Sequence, residues 1–423
     1  MNRSLLDSLR DRRGAALPVA LFGLVAVSLL VTTALLTSST EFAISSAHRG
    51  AASSLYNADA ALEQYVADRL TAVIPTGQDR FLPSDTTGAV TTAVGPDGKT
   101  YSFTVARLVN GSIQYVTTAA GNRVRRSQLY SLTAMPPSGR GRAVGAFVGV
   151  TREAARVQTN INAGAVSGGN LSVSGNATIS DGRSGTNYCG LSNNTAPFSV
   201  QVTSGATISR GGSSTFEGAT NVAGFTKEQM ADTLLGPGVT LRQLADMATI
   251  QFGRRWNKPE FNGGRIDSDP DQPAGYDWGC PQVLLGTSLT CPTGSSTRNV
   301  VVAIDATGLN GNEVSLTGRY GQGMIIVLNG SLKIQGNFTY KGIILVEKDM
   351  FIRGGSAGQE SKIEGSVVSF GASSTVEDNI NGTATIKYNR CAINDAEEAL
   401  NGSALQTAAQ NAGGTYAWYE LIR

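Results

Sequence analysis

A long run of uncharged residues near the N-terminus constrains this chain more than any other feature. Between Arg13 and Glu41 the 423-residue sequence holds no charged side chain. As a helix, Ala15 to Thr37 would extend roughly 35 Å, which exceeds the roughly 30 Å hydrocarbon core of a bilayer. The run is also longer than the apolar core of a secretory signal, and no small-residue cleavage site follows it. It therefore predicts a transmembrane helix over residues 15–37.

The charges before this run predict its orientation. Residues 1–14 form a short leader whose basic side chains are Arg3, Arg10, Arg12 and Arg13. Positively charged flanks of a membrane helix stay in the cytoplasm. The leader is therefore expected in the cytoplasm, and the long C-terminal remainder is expected in the periplasm or at the cell surface.

Helical periodicity continues beyond the apolar run. Apolar residues recur largely at helical spacings from Phe42 to Leu70, which marks one buried stripe on an amphipathic helix. We therefore predict a single helix over residues 15–70. Its first half would lie in the membrane, and its second half would pack under a folded domain.

The N-terminal region resembles that of a known family. The leader ending at Gly14, the apolar run and the segment YNADAALEQYVADRL resemble PilX-type minor pilins, which are type IV pilus assembly proteins. In that family, prepilin peptidase cuts after the glycine, and the apolar helix stays on the mature subunit. The resemblance implies a processing site formed by Arg12, Arg13, Gly14 and Ala15, cut between the last two. It also implies a family helix signature at Ala58, Asp59, Ala60, Ala61, Leu62 and Glu63.

One position departs from the major pilins of that superfamily. Their fifth mature residue is a glutamate that meets the N-terminal amine of a neighbouring subunit, and here that position holds Val19. PilX-type proteins commonly lack this glutamate. The resemblance therefore implies a minor pilin or assembly factor in the bacterial inner membrane. Its implied partners are prepilin peptidase, other minor pilins and the pilus platform protein.

Residues 71–137 predict a small antiparallel β meander that packs on the helix. Three segments alternate apolar and polar side chains and are separated by turn residues: KTYSFTVARLV, SIQYVTTAAG and RSQLYSLTAM. A helix followed by such a meander is the arrangement of pilins. The segment PPSGRGR, residues 136–142, is typical of a linker.

Glycine dominates residues 144–390. The chain contains 51 glycines, about one residue in eight against a usual share of about 7%. Gly323, Gly342 and Gly365 each precede an apolar run, at spacings of 19 and 23 residues. Repeats of this kind bury their strands only by stacking on one another. We predict a right-handed parallel β-helix, with a β-sandwich or jelly roll as the alternative. This part resembles the glycine-rich region of some long PilX-like proteins.

Two further segments are predicted to lie outside the stacked coils, one as an insertion on the side of the β-helix and one at its end. Residues 225–298 are predicted as a helical and loop insertion. Its loop holds the densest group of aromatic residues, which could fill the core or bind a sugar or a partner: Trp256, Tyr276 and Trp278, with Pro259. Residues 391–423 are predicted as a short helix and a segment whose aromatic residues, Trp418 and Tyr419, cap the open end of the stack.

The cysteines predict disulfides. All four follow the apolar run: Cys189, Cys280, Cys291 and Cys391. None forms a CxxC pair and the single histidine, His48, is distant, so neither a metal site nor a cofactor is predicted. An even count outside the cytoplasm favours two disulfides, for which three connectivities exist. We expect Cys280 and Cys291 to close one local loop.

No catalytic residue is predicted. A hydrolase triad would need His48, which lies in a surface-helix segment. Polysaccharide cleavage needs converging carboxylates, and those of the glycine-rich region fall at different phases of the repeat. They are Asp305, Glu313, Glu347, Asp349, Glu364, Glu377 and Asp378. The run from Asp267 to Gln272 lacks the EF-hand pattern of a calcium site. A net charge of +2 without a basic block argues against nucleic acid as a partner.

The sequence thus predicts a non-enzymatic α+β protein of the inner membrane. We expect a minor pilin or type IV pilus assembly protein that contributes to pilus biogenesis or tip display. The alternative is a membrane-anchored envelope β-helix that binds or acts on polysaccharide.

Overall fold

A computed structural model describes most of the chain. The described residues are 16–72, 79–82, 89–119, 121–135, 143–183, 189–190, 197–253, 256, 264–265, 278–291, 297–317, 320–355, 359–371, 378–408 and 410–421.

Helix α1, Ala16–Thr71, is one continuous helix of 56 residues, as predicted. Its buried side chains lie three and four positions apart, at Ala58, Ala61, Leu62, Tyr65 and Val66. The helix ends where the guanidinium of Arg80 donates to the carbonyls of its last turn, those of Arg69, Leu70 and Ala72. This contact satisfies carbonyl groups that have no partner within the helix.

An antiparallel sheet packs on the second half of α1. Its strands are β1 Ala89–Val94, β2 Thr100–Asn110, β3 Gln114–Thr118, β4 Gly121–Met135, β5 Ala143–Ala155 and β26 Gln410–Leu421. Their order is β1-β2-β4-β5-β26, with β3 paired to β4. Tyr65 of α1 stacks on Phe103 of β2 with ring centroids 4.5 Å apart, inside a shared apolar core.

This sheet is larger than the predicted three-strand meander. β5 pairs with β4 from Arg123↔Ala155 to Ala134↔Val144, so the predicted start of the β-helix at residue 144 is wrong. Strand β26 pairs with β5, so the predicted cap formed by the terminal segment is also wrong. The first error arose because β5 is rich in valine, alanine and glycine and resembles the coils in composition. The second arose because β26 pairs with a strand that is distant in sequence. The predicted linker, residues 136–142, lies outside the described residues.

Two parallel sheets form the glycine-rich body. Within the described residues, the wide sheet has eleven strands: β6 Ala163–Ser167, β8 Thr178–Ser180, β9 Phe198–Val202, β11 Thr215–Glu217, β12 Ala219–Val222, β13 Ile250–Phe252, β17 Val300–Asp305, β19 Gly321–Leu328, β21 Thr339–Val346, β23 Ser361–Ser369 and β25 Ala384–Tyr388. The described part of the narrow sheet has seven: β7 Leu171–Val173, β10 Ile208–Arg210, β14 Gly264–Arg265, β18 Glu313–Thr317, β20 Ser331–Gln335, β22 Met350–Arg353 and β24 Asp378–Asn381.

The chain alternates between these two sheets, and neighbouring strands run parallel, as in β19–β21 and β20–β22. This is the predicted parallel β-helix. The β-sandwich alternative does not fit, because antiparallel hairpins would connect its strands. Right-handed winding stays a prediction.

The predicted glycine repeat forms a ladder across the wide sheet. Gly323 pairs with Gly342, and Gly342 pairs with Gly365. All three have positive φ, of 116°, 138° and 137°. A Cβ atom built on Gly342 would lie 1.9 Å from the carbonyl oxygen of Gly323. Glycine is therefore required at this rung both by backbone conformation and by the close approach of the next coil.

The coils stack in an order that differs from their order in the chain. The first segment, residues 163–222, begins in the middle of the stack and proceeds to the β12 end. The second segment, residues 250–388, begins at the opposite end and proceeds back to the middle. There β23, β24 and β25 pair with β6, β7 and β8. We call these three strand pairs the seam.

In the described part of the chain, three helices cover the outer face of the wide sheet: α2 Met230–Leu235, α3 Leu241–Asp246 and α4 Arg390–Thr407. They share an apolar cluster with the outward side chains of the strands, such as Met324 and Ile326. The inward side chains, such as Ile325 and Val327, form a second cluster between the two sheets. With both faces buried, these strands are continuously apolar.

The segment predicted as an insertion is only partly one. Helices α2 and α3 do lie on the side of the stack, and Thr240 caps α3 with a capping box. However, β13 and β14 form a coil, paired with β17 and β18. Of the loop aromatic residues, Trp278 is 1% exposed in the core and Trp256 packs on the helical cluster. Pro259 and Tyr276 lie outside the described residues.

Candidate functional site: the exposed helix and the corner carboxylates

The first half of α1 is exposed along its whole length. Its large apolar side chains between Leu17 and Leu36 are 50–78% exposed. Its most apolar window has a mean hydropathy of 2.5, and none of that window is buried within the protein. Among the described residues, this is the one helix long and apolar enough to cross a membrane. An exposed surface of this size needs an apolar environment.

Six hydroxyl groups in and just after this half donate hydrogen bonds within the helix. Thr32, Thr33 and Thr37 donate to carbonyls one turn earlier, at 2.7–2.8 Å, and Ser39, Thr40 and Ser46 make similar bonds. A polar group in hydrocarbon must find its partner inside the protein. The segment therefore meets a requirement of membrane insertion in spite of its serines and threonines.

The signature residues predicted on α1 lie together where the helix meets the sheet. Ala58, Ala61 and Leu62 are buried, Asp59 and Ala60 are half-buried, and Glu63 is exposed. Small side chains are needed on the buried side. A Cβ atom at Gly95, in the turn after β1, would lie 3.1 Å from the Cβ of Ala61. The processing residues Arg12, Arg13, Gly14 and Ala15 lie outside the described residues.

All four cysteines are paired in disulfides. Cys280 and Cys291 close the predicted local loop, with Cα atoms 6.0 Å apart. Cys189 and Cys391 form the second bridge, with Cα atoms 5.6 Å apart and 202 residues between them in sequence. Structural disulfides persist in oxidising compartments. They therefore agree with an extracytoplasmic position of the domain.

Among the described residues, four carboxylates line one corner of the β-helix, where the chain turns from the wide sheet to the narrow sheet. These corner carboxylates are Asp305, Glu347, Asp349 and Asp378. The sequence interpretation that the acidic residues do not line up is therefore wrong for these four. Coils of unequal length hid the alignment, because equivalent corner positions recur at irregular spacings.

The corner carboxylates hold neighbouring coils together. Asp305 accepts hydrogen bonds from the hydroxyl of Thr307 at 2.6 Å and from the amide of Asn329 at 2.8 Å. The backbone N–H of Asn329 donates to Glu347 at 2.5 Å. The carboxylate oxygens of Asp305 and Glu347 are thus used in hydrogen bonds within the protein. Within the described residues, no group of three or more His, Cys, Asp or Glu side chains is placed to hold a metal ion.

Asp378 is the most deeply buried member of this corner, at 2% exposure. It accepts from the backbone N–H of Met350 at 2.6 Å and from the hydroxyl of Ser167, which joins the two segments at the seam. Burial raises the pKa of Asp378 from 3.8 to about 6, and the nearby Asp349 adds to the rise, while these hydrogen bonds oppose it.

This pKa shift makes the stability of the seam depend on pH. Because the folded pKa exceeds the unfolded value, the folded state binds the proton more tightly, and stability falls as pH rises from about 4 to 6. We expect Asp378→Asn, which stays neutral and keeps an acceptor for Met350, to remove this fall, of order 3 kcal/mol. Unfolding midpoints between pH 4 and 7.5 measure it. Burial also raises the pKa of Glu397. This residue is present in both proteins and therefore contributes equally to both pH profiles. Parallel pH profiles would contradict the assignment.

No protein-family model, curated protein or solved structure matches this chain. The structure itself shows a chain with two parts. An N-terminal hydrophobic helix is suited to a membrane anchor or signal, and it is followed by an extracytoplasmic, disulfide-bonded β domain.

Proposed function

We propose that this protein is a minor pilin or an assembly factor of a type IV pilus, inserted in the bacterial inner membrane through the first half of α1. The observation that carries the proposal is the continuity of that helix. Its exposed apolar half and the half buried under the antiparallel sheet form one element without a break. The β-helix would then be displayed outside the cytoplasm, as part of pilus biogenesis or at a pilus tip.

The continuity of α1 favours this role over a discarded signal. A signal is removed together with its apolar segment, and nothing then requires its helix to extend into the folded domain. Here the apolar half continues in phase to Ala58 and Leu62, at the centre of the interface with the sheet. Cleavage before Ala15 would leave this whole element on the mature protein. The exposed apolar surface could then contact the helices of other minor pilins and the platform protein within the membrane.

We also propose that the protein is not an enzyme. The aligned acidic residues offer the strongest case for catalysis on a polysaccharide. Their oxygens, however, accept hydrogen bonds from Asn329, Thr307 and Met350 of their own and adjacent coils. A general acid or base must reach the substrate. Carboxylates that hold coils together support a structural role.

Processing of the leader tests the proposed function. We expect co-expression with prepilin peptidase to give a mature protein that starts at Ala15, as measured by N-terminal sequencing and intact mass. Gly14→Val should block this cleavage. Gly23→Val is the matched control, because a Cβ atom at Gly23 has no neighbour within 4 Å; it should be processed normally. A start at Met1 in the presence of active peptidase, or beyond Ser46, would overturn the proposal.

A further inference from the structure

A cleft of about 380 Å³ lies between a short hairpin and the side of the β-helix. The hairpin consists of β15 Val283–Leu284 and β16 Thr287–Ser288, which form a two-stranded sheet of their own among the described residues. It lines the cleft with Leu285 and Leu289, while the coils contribute Tyr320, Asn337, Glu360 and Lys362. The volume lies within the range of about 300–1,000 Å³ that is typical of small-molecule sites.

The hairpin is fixed at both ends. At its base, the Cys280–Cys291 disulfide closes the loop, and the N–H of Leu289 donates to the carbonyl of Gln282 at 2.8 Å. At its tip, the N–H of Leu285 donates to the buried carboxylate of Glu364 at 2.7 Å. This wall of the cleft is therefore held in place before any ligand arrives, which lowers the entropy cost of binding.

Leu285 occupies a backbone conformation that leucine disfavours. It has a φ of 51° and is followed by Gly286 with a φ of 80°, so both residues of the two-residue turn are left-handed. Such turns prefer Asn-Gly, and a leucine there costs roughly 1–2 kcal/mol. This strained turn places the aliphatic side chain of Leu285 on the cleft wall. Backbone strain of this kind concentrates at binding sites.

The charges of the cleft cancel. Glu360 and Lys362 form an ion pair at 2.9 Å, so the lining offers both an acceptor and a donor but no net charge. Such a lining fits a neutral ligand that has an apolar face and several hydroxyl groups. An extended peptide fits less well, because β15 and β16 are only two residues long and offer little edge for strand pairing.

We propose that this cleft binds a neutral saccharide of one or two rings. The leucines would contact the C–H face of a ring, and Asn337, Glu360 and Lys362 would bind its hydroxyl groups. This activity goes beyond pilus assembly and does not depend on it, since neither the leader nor α1 takes part. The protein would thereby carry a glycan-recognition site on the body that it displays outside the cytoplasm.

The test uses the full chain in lipid nanodiscs without sugar-based detergents, whose headgroups would compete for the cleft. The probes are maltose, cellobiose, N,N′-diacetylchitobiose, digalacturonate and an uncharged hexapeptide, followed by saturation-transfer NMR and calorimetry. We expect at least one neutral disaccharide to bind more tightly than digalacturonate and the peptide. The proposal is overturned if no neutral disaccharide gives a signal at millimolar concentration, or if the peptide or digalacturonate binds more tightly.

Two variants connect binding to the cleft. Glu360→Ala should weaken binding of the best disaccharide at least tenfold. Glu313→Ala is the matched control: Glu313 also pairs with a lysine, Lys333, at 3.4 Å, but it does not line the cleft, and binding should change less than twofold. Leu285→Asn should relieve the strained turn, leave the unfolding midpoint unchanged or higher, and still weaken binding about tenfold. Native affinity in both cleft variants would overturn the proposal.

Discussion

Replacement of Gly342 by alanine is expected to lower the free energy of unfolding of the β-helix by at least about 4 kcal/mol. Two costs coincide at this residue. Its φ of 138° is one that alanine rarely adopts, and the new Cβ atom would lie 1.9 Å from the carbonyl oxygen of Gly323. That oxygen belongs to a backbone paired on both sides, so it cannot move without disturbing adjacent coils.

A series of three glycines separates the two costs. Gly224→Ala meets neither problem, because the Cβ atom has no neighbour within 4 Å and φ is not positive. Gly336→Ala meets only the conformational one, since its φ is 69° but the space is open. We expect Gly224→Ala to leave stability unchanged or to raise it by up to about 1 kcal/mol, Gly336→Ala to cost about 1–2 kcal/mol and Gly342→Ala to cost at least about 4 kcal/mol. Denaturation followed through the fluorescence of the buried Trp278 measures them. Equal losses at all three positions would refute the close-packed ladder.

Removal of the Cys189–Cys391 disulfide is expected to cost about 5 kcal/mol. The bridge closes a loop of 202 residues, so its loss frees a large number of unfolded conformations. It also has a particular location. Cys391 lies in the first turn of α4, just after β25, and Cys189 follows β8 in the chain, so the bridge connects segments that follow two paired strands of the seam. The double variant Cys189→Ser/Cys391→Ser should therefore loosen the seam before the rest of the stack.

The second disulfide is the control for this prediction. Cys280 and Cys291 are separated by 11 residues, and the loss of so short a loop should cost about 2–3 kcal/mol. Hydrogen exchange of the two double variants distinguishes local from global effects. Exchange should rise in β6, β7 and β8 of the first variant and near the hairpin of the second. A seam as protected as in the native protein would contradict the role assigned to Cys189–Cys391.

Local patterns predicted several features correctly. The stripe from Ala58 to Val66 is a property of helical spacing, and the structure buries it as one face. The repeat of Gly323, Gly342 and Gly365 identified coils because a close approach between backbones requires glycine in each turn. The short Cys280–Cys291 loop followed from proximity in sequence.

Features that depend on pairing between distant strands could not be predicted from the sequence. The composition of β5 does not show whether its partner is β4 or a coil, and β26 finds its place beside β5 about 250 residues later. The corner carboxylates were missed because alignment in space requires the length of every coil to be known. The hairpin cleft was missed because no motif marks it, although the uncommon Leu-Gly pair at its turn was a signal.

We expect the stacking order of the coils to determine the order in which they fold. Successive coils of the second segment join strands about 20 residues apart, whereas β6 and β23 are about 200 residues apart. Closing the longer loop costs roughly 2 kcal/mol more. A chain that is exported from its N-terminal end releases β6, β7 and β8 first, long before their partners. The earliest coils to leave the cytoplasm are thus expected to be the last to dock, onto a template that the later part of the chain has built.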